Sequence, residues 1–149
     1  MWIHYSKKPI KKLKYIKPGR DDELLPNGFW VATPDEVNYL GDPTKDLKYR
    51  VVLDFSKLYV FDSAKSIEKF YKKYRYKRGK YPETDDPDWK YIDSFPINYT
   101  KVAKDYAGVI ATRKIKGRKK WLFFNVAFGY KAGVIWDPIV IKELYLSSV

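Results

Sequence analysis

The chain has 149 residues and 17.7 kDa, room for one domain around one core. Hydrophobic residues at 45% and charged residues at 32% exclude a wholly disordered or fibrous chain. With no cysteine and one histidine, His4, disulfide staples, thiolate metal sites, Cys nucleophiles and multi-His zinc sites are excluded as well.

Taken in order, Trp2-Ile3-His4-Tyr5 reads as a short strand. Pro26-Asn27-Gly28 is a turn, and Phe29–Ala32 a strand after it. Thr33-Pro34-Asp35-Glu36 has the pattern of a capped helix start, with Thr as cap, Pro in the first turn and Glu returning to the cap, and Gly41 as its stop. Arg50–Phe55 and Leu58–Phe61 are rich in β-branched and aromatic residues, hence strands. Asp62 or Ser63 caps a helix running to about Tyr76, with Ala64, Ile67, Phe70, Tyr71 and Tyr74 at helical spacing on its core side. Residues 77–96 carry Gly79, Pro82, Pro87 and Pro96 among charges and are expected to form a long mobile loop. Asn98 or Thr100 opens a second helix, closed by Gly108. Strands over 109–112, 121–127, 133–136 and 141–146 complete an α+β domain spanning 1–149, with a basic turn at 114–120.

The net charge of +12 is blocked rather than mixed. Residues 1–20 hold seven basic and no acidic side chains: Lys7, Lys8, Lys11, Lys12, Lys14, Lys17 and Arg20. Residues 65–80 hold eight basic against Glu68, and 101–120 hold eight against Asp105. Such blocks attract polyanions, and Tyr interleaved with Lys and Arg stacks bases while the cations hold phosphates. Arg75, Lys77 and Arg78, with Lys116, Arg118, Lys119 and Lys120, are the candidate contacts to DNA or RNA. The plainer alternative is a solvated, lysine-rich surface and a hairpin tip. The uncharged run Trp121–Tyr130 has ten residues, against the roughly 20 that cross a bilayer. Neither a membrane span nor a secretory signal is expected, and the expected compartment is the cytoplasm or a host-cell interior.

Three segments carry the candidate chemistry: Trp2-Ile3-His4-Tyr5-Ser6, Gly28-Phe29-Trp30-Val31-Ala32-Thr33-Pro34, and Ala132-Gly133-Val134-Ile135-Trp136-Asp137-Pro138 leading into Ile141-Lys142-Glu143-Leu144. Their order and spacing resemble the ADP-ribosyltransferase-like fold, in its diphtheria-toxin and poly-ADP-ribose-polymerase branch. Asp105-Tyr106-Ala107-Gly108-Val109-Ile110 resembles a strand often found upstream of the last motif in that family. The whole chain is similar to a group of small viral and bacterial proteins with His-Tyr-Ser, Gly-Leu-Trp-Val and Gly-x-Ile-Trp-Asp motifs.

The resemblance implies split sheets with two or three helices and NAD as substrate. It implies His4 and Ser6 on the nicotinamide-side ribose and Trp30 stacked on nicotinamide, with Tyr5 and Thr33 beside them. The family's catalytic Glu falls at about Ala132, so the carboxylate that stabilises charge on the ribose is missing there. Asp137 and Glu143 are the candidate substitutes, while Asp35 and Glu36 read as occupied in a helix start. Three readings follow. The first is an NAD-using ADP-ribosyltransferase with a nucleic acid or protein acceptor. The second is a non-catalytic, basic nucleic-acid-binding module on the same scaffold. The third is an RNA 2′-phosphotransferase-like activity, with Arg20, Arg113 and Arg118 as phosphate grips. By default His4 is a satisfied structural histidine, and Trp30 and Trp136 are core aromatics.

Overall fold

Alternation of apolar side chains along short strands decides the architecture, because a strand sends successive residues to opposite faces. The computed structural model describes residues 1–19, 25–36, 40–76, 95–117, 121, 123–124, 128 and 131–147. Seven strands form: β1 (Trp2–Ser6), β2 (Phe29–Ala32), β3 (Leu47–Leu53), β4 (Leu58–Phe61), β5 (Gly108–Ala111), β6 (Ala132–Ile135) and β7 (Ile141–Leu146). Two helices, α1 (Ala64–Tyr74) and α2 (Tyr99–Asp105), join them, so the expected α+β class holds. All seven strands lie in one sheet of order β4-β5-β6-β2-β1-β3-β7, antiparallel except for the β4–β5 pair.

Two separate small sheets were the expectation, and one continuous sheet is the finding. The two halves nonetheless meet at a narrow join. β1 pairs with β3 over five positions, Trp2↔Val51 through Ser6↔Leu47, but meets β2 only at Ile3↔Ala32. Beyond that position β1 and β2 diverge.

Each face of the sheet has its own core. On one face, Phe61, Val109, Ala111, Val134 and Trp136 pack against Ile67, Phe70, Tyr71 and Tyr74 of α1 and Tyr99 and Val102 of α2. Phe61 sits within 5.2 Å, centroid to centroid, of Tyr59, Phe70, Phe124 and Phe128, an aromatic cluster that supplies much of the buried area. On the other face, Phe29, Val31, Val51, Leu53, Ile110, Ile135 and Val140 form a second cluster. Ile10 and Leu13 close over it from the lysine-rich segment after β1.

Ser63 caps α1, accepting from the Ser66 N–H while Ser66 Oγ accepts from the Ser63 N–H. Asn98 caps α2. The helices are tied by a 2.5 Å hydrogen bond from the Tyr74 hydroxyl to Asp105. Between them, Tyr76 N–H donates to Pro96 O, Asn98 N–H donates to Tyr74 O, and Arg75 bridges Ile97. The chain therefore leaves α1 and returns to α2 through a closed neck. The loop expected over 77–96 lies outside the described residues up to 94; Phe95 and Pro96 belong to the neck.

Two local expectations are corrected. Residues 34–36 form a turn, because the Thr33 hydroxyl donates to Asp35 at 2.5 Å instead of capping a helix; 37–39 lie outside the described residues. Phe123 and Phe124 are helical where a strand over 121–127 was expected, as is Phe128 just beyond it. That spacing buries all three rings in the α1-side cluster, and tertiary packing outweighs the β propensity of the run. Among the described residues, no helix is long and apolar enough to cross a membrane.

Gly108 is a position of close approach, where an added Cβ would lie 2.5 Å from the Val134 carbonyl oxygen. Backbone there cannot give, so Gly108→Ala is expected to destabilise the fold by about 1–3 kcal/mol, read as a lowered urea midpoint at unchanged m-value.

Candidate functional site: a cleft beneath a lysine strap

The register of β2 decides which side chains meet. Phe29 pairs with Ile135 and Trp30 with Val134, so Phe29 and Ile135 share one face while Trp30 and Val134 share the other. On β1, Ile3 pairs with Ala32 on Trp30's face, which sends His4 and Ser6 to the face of Phe29. The imidazole of His4 lies on the Phe29 ring, centroids 3.6 Å apart and planes within 17°.

His4 stands where β1 and β2 diverge, and its Nδ1 lies 2.6 Å from the Trp30 carbonyl oxygen. A carbonyl only accepts, so Nδ1 carries the proton and donates. Burial disfavours the charged ring and holds its pKa below the ordinary 6.5, against the smaller upward pull of the carbonyl. At neutral pH the ring is uncharged, with Nε2 an acceptor.

After Ser6 the chain crosses this face as an extended strap. Ser6 Oγ donates to Lys8 O at 2.6 Å, Ile10 N–H donates to the Tyr49 hydroxyl at 2.9 Å, and Ile16 N–H donates to Trp136 O at 2.8 Å. Pro18 O then accepts from Asn27 N–H, and Gly19 passes so close to Thr100 that a Cβ would meet its Oγ1 at 2.6 Å. Between strap and sheet lies a cleft of about 350 Å³. Its floor is Phe29, Ile135, Pro138 and Ile141, its inner wall His4 and Ser6, and its roof the stretch Ile10–Ile16 with Lys12 and Lys14. The floor is apolar and the roof cationic. No carboxylate among the described residues lines it. Among the described residues, none of Lys7, Lys8, Lys11, Lys12, Lys14 and Lys17 forms an ion pair.

Of the residues expected at a cofactor, His4 and Ser6 share this cleft. Tyr5 and Trp30 point to the opposite face, where Tyr5 packs beside Ile3 and Ala132, and Trp30 stacks on Phe128 at 6.0 Å. Thr33 is engaged with Asp35, whose carboxyl is held down at about 2 by the Lys131 ammonium 2.6 Å away and by the Thr33 hydroxyl. Asp137 caps the turn Pro138–Val140, accepting from Ile139 N–H at 3.1 Å. Glu143 pairs with Val52 on the exposed face away from the cleft, and takes the Tyr145 hydroxyl proton into a hydrogen bond that raises the tyrosine pKa. Glu36 is buried, with Lys114 at 3.7 Å. Ala132 is buried on Trp30's face. No expected carboxylate reaches the imidazole's cleft.

The basic candidates fare unevenly. Arg75 is committed to the neck, its guanidinium 4.7 Å from the Phe95 ring and 5.6 Å from that of Tyr71. Lys116 is exposed on a turn, and Arg113 is exposed without lining the cleft. Lys77, Arg78, Arg118, Lys119 and Lys120, with Arg20, lie outside the described residues. Sequence reasoning missed Phe29, Lys12 and Lys14 as site residues. The lysines were visible as charge, but nothing in the sequence tells which of them fold back over the sheet.

The depressed His4 pKa has a stability consequence. The unfolded chain takes up a proton near pH 6.5 that the folded chain resists, so the contribution of the neutral ring is present above that pH and is lost as pH falls. Thermal melts from pH 8 to 5 are expected to show a decline below about 6.5 that is flatter in His4→Gln.

In comparison with known proteins, no family model, no curated protein and no solved structure matches the chain.

Proposed function

We propose that the protein binds a nucleotide in the strap cleft, with NAD or its ADP-ribosyl part as the form that the sequence resemblance singles out. One observation carries the reading: a neutral acceptor imidazole and two lysines that form no ion pair among the described residues surround one apolar floor. His4 Nε2 accepts a ribose hydroxyl proton, Lys12 and Lys14 take phosphate oxygens, and the floor takes the sugar's apolar edge or the base. The narrow join between β2 and β1 supports the likeness to a split-sheet scaffold of the ADP-ribosyltransferase kind.

Binding is favoured over transfer. Cleaving the nicotinamide bond develops positive charge on the ribose, and an oriented carboxylate is the group that would stabilise it. None of the described lining residues supplies one, and the roof adds cations instead. The aromatic on the cleft side is Phe29, and His4 already covers its ring, so Trp30 offers nicotinamide no platform there. The chain is thus read as a basic nucleotide-binding module, with nucleic acid as its natural class of partner.

Thermal-shift titration tests this. NAD, ADP-ribose or AMP at ten times its Kd is expected to raise Tm by about 3–6 °C, falling as salt rises. Lys12→Ala with Lys14→Ala is expected to remove most of the shift while leaving the unliganded Tm close to the parent's. Absence of a shift with all three ligands at millimolar concentration overturns the reading. Label appearing on added nucleic acid or lysate protein from labelled NAD overturns its non-transferring part.

A further inference from the structure

The cleft sits near the lower end of the roughly 300–1,000 Å³ range of small-molecule pockets. That is room to enclose one nucleotide unit, so the remainder of any longer ligand, the second half of NAD included, would lie outside it. Its roof is fixed at both sides, by Ile10 N–H on the Tyr49 hydroxyl and by Ile16 N–H on Trp136 O, and Ile10 and Leu13 are packed into the core beneath. A continuous polymer would have to thread under that roof to place an internal nucleotide. A free end has only to enter from the side.

The strap also carries more charge than one nucleotide needs. Lys8, Lys11, Lys14 and Lys17 recur every third residue, with Lys7 just before them and Lys12 among them, and residues 1–20 contain no acidic side chain. All six lysines are exposed, and none is ion-paired among the described residues. Lys12 and Lys14 line the cleft, whereas Lys7, Lys8, Lys11 and Lys17 do not. Cations outside the cleft cannot serve a ligand confined within it, but they lie along the path of a phosphate chain leaving it.

We infer that the ligand is the terminal nucleotide of a single-stranded nucleic acid, inserted under the strap while the adjoining backbone runs along its outer lysines. This rests on the nucleotide reading of the cleft and adds the polymer and its end. A blunt or paired end fits worse, since a base pair is too wide for a cleft of one-nucleotide size.

The test is competition in fluorescence anisotropy. A labelled linear oligodeoxynucleotide of ten residues is displaced from the full chain by unlabelled linear strand or by a covalently closed circle of the same composition. Displacement by the linear strand at a concentration at least tenfold below that of the circle is the expected result. Equal displacement overturns the proposal, since it marks binding to backbone charge alone. Lys8→Glu with Lys17→Glu is expected to weaken oligonucleotide binding at least tenfold and to leave AMP binding within twofold; equal weakening of both overturns it. The two readings fail separately. If AMP binds but line and circle compete alike, only the strand-end proposal falls. If no mononucleotide binds, the nucleotide reading falls with it.

Discussion

Where the main-chain ladder between β1 and β2 gives out, a side-chain hydrogen bond takes over from it. β1 and β2 share one paired position, and just past it the Nδ1–H of His4 reaches the Trp30 carbonyl that the diverging strand no longer serves. An unsatisfied carbonyl at that depth would cost about 1–3 kcal/mol, so the imidazole has a structural duty before any other. That same bond sets the tautomer and leaves Nε2 as an acceptor, while burial, against the pull of the carbonyl, keeps the ring uncharged. The two nitrogens of this ring thus have separate places: Nδ1 satisfies the Trp30 carbonyl, and Nε2 is the acceptor on which the proposed nucleotide reading rests.

What the structure adds to the charge count is placement. Lysines spread along the first twenty residues read equally well as a solubilising tail or as a polyanion site. Anchoring Ile10 and Ile16 to the sheet converts part of that segment into a roof and the rest into a track beside it. The acidic candidates Asp137, Glu143 and Glu36 do not line the cleft: one accepts from a backbone N–H as a cap, one from a tyrosine on another face, and one meets Lys114.

Much of the fold was legible because its signals are local. Ser63, the apolar spacing through Tyr74 and the cap at Asn98 mark both helices, and β-branched runs mark most strands. The failures came where a local signal met a competing partner. Thr33 has the residue type of a cap, but Asp35 two positions on takes its hydroxyl proton. The run after Trp121 has strand composition, yet its phenylalanines pack as a helix against Phe61. The site was half legible: His4 and Ser6 share the cleft, but Trp30 misses it by one residue. Strand alternation makes a one-residue offset a change of face, and register is a non-local property that one sequence does not display.

The neck between the helices carries a consequence of another kind. Tyr76 to Pro96, Asn98 to Tyr74 and Tyr74 to Asp105 stitch the two sides together before the intervening stretch begins. Closing a longer excursion costs little, about 0.6 kcal/mol for each doubling of its length. A change in the number of residues between Tyr76 and Phe95 would therefore leave these bonds, and the packing of the two helices behind them, in place.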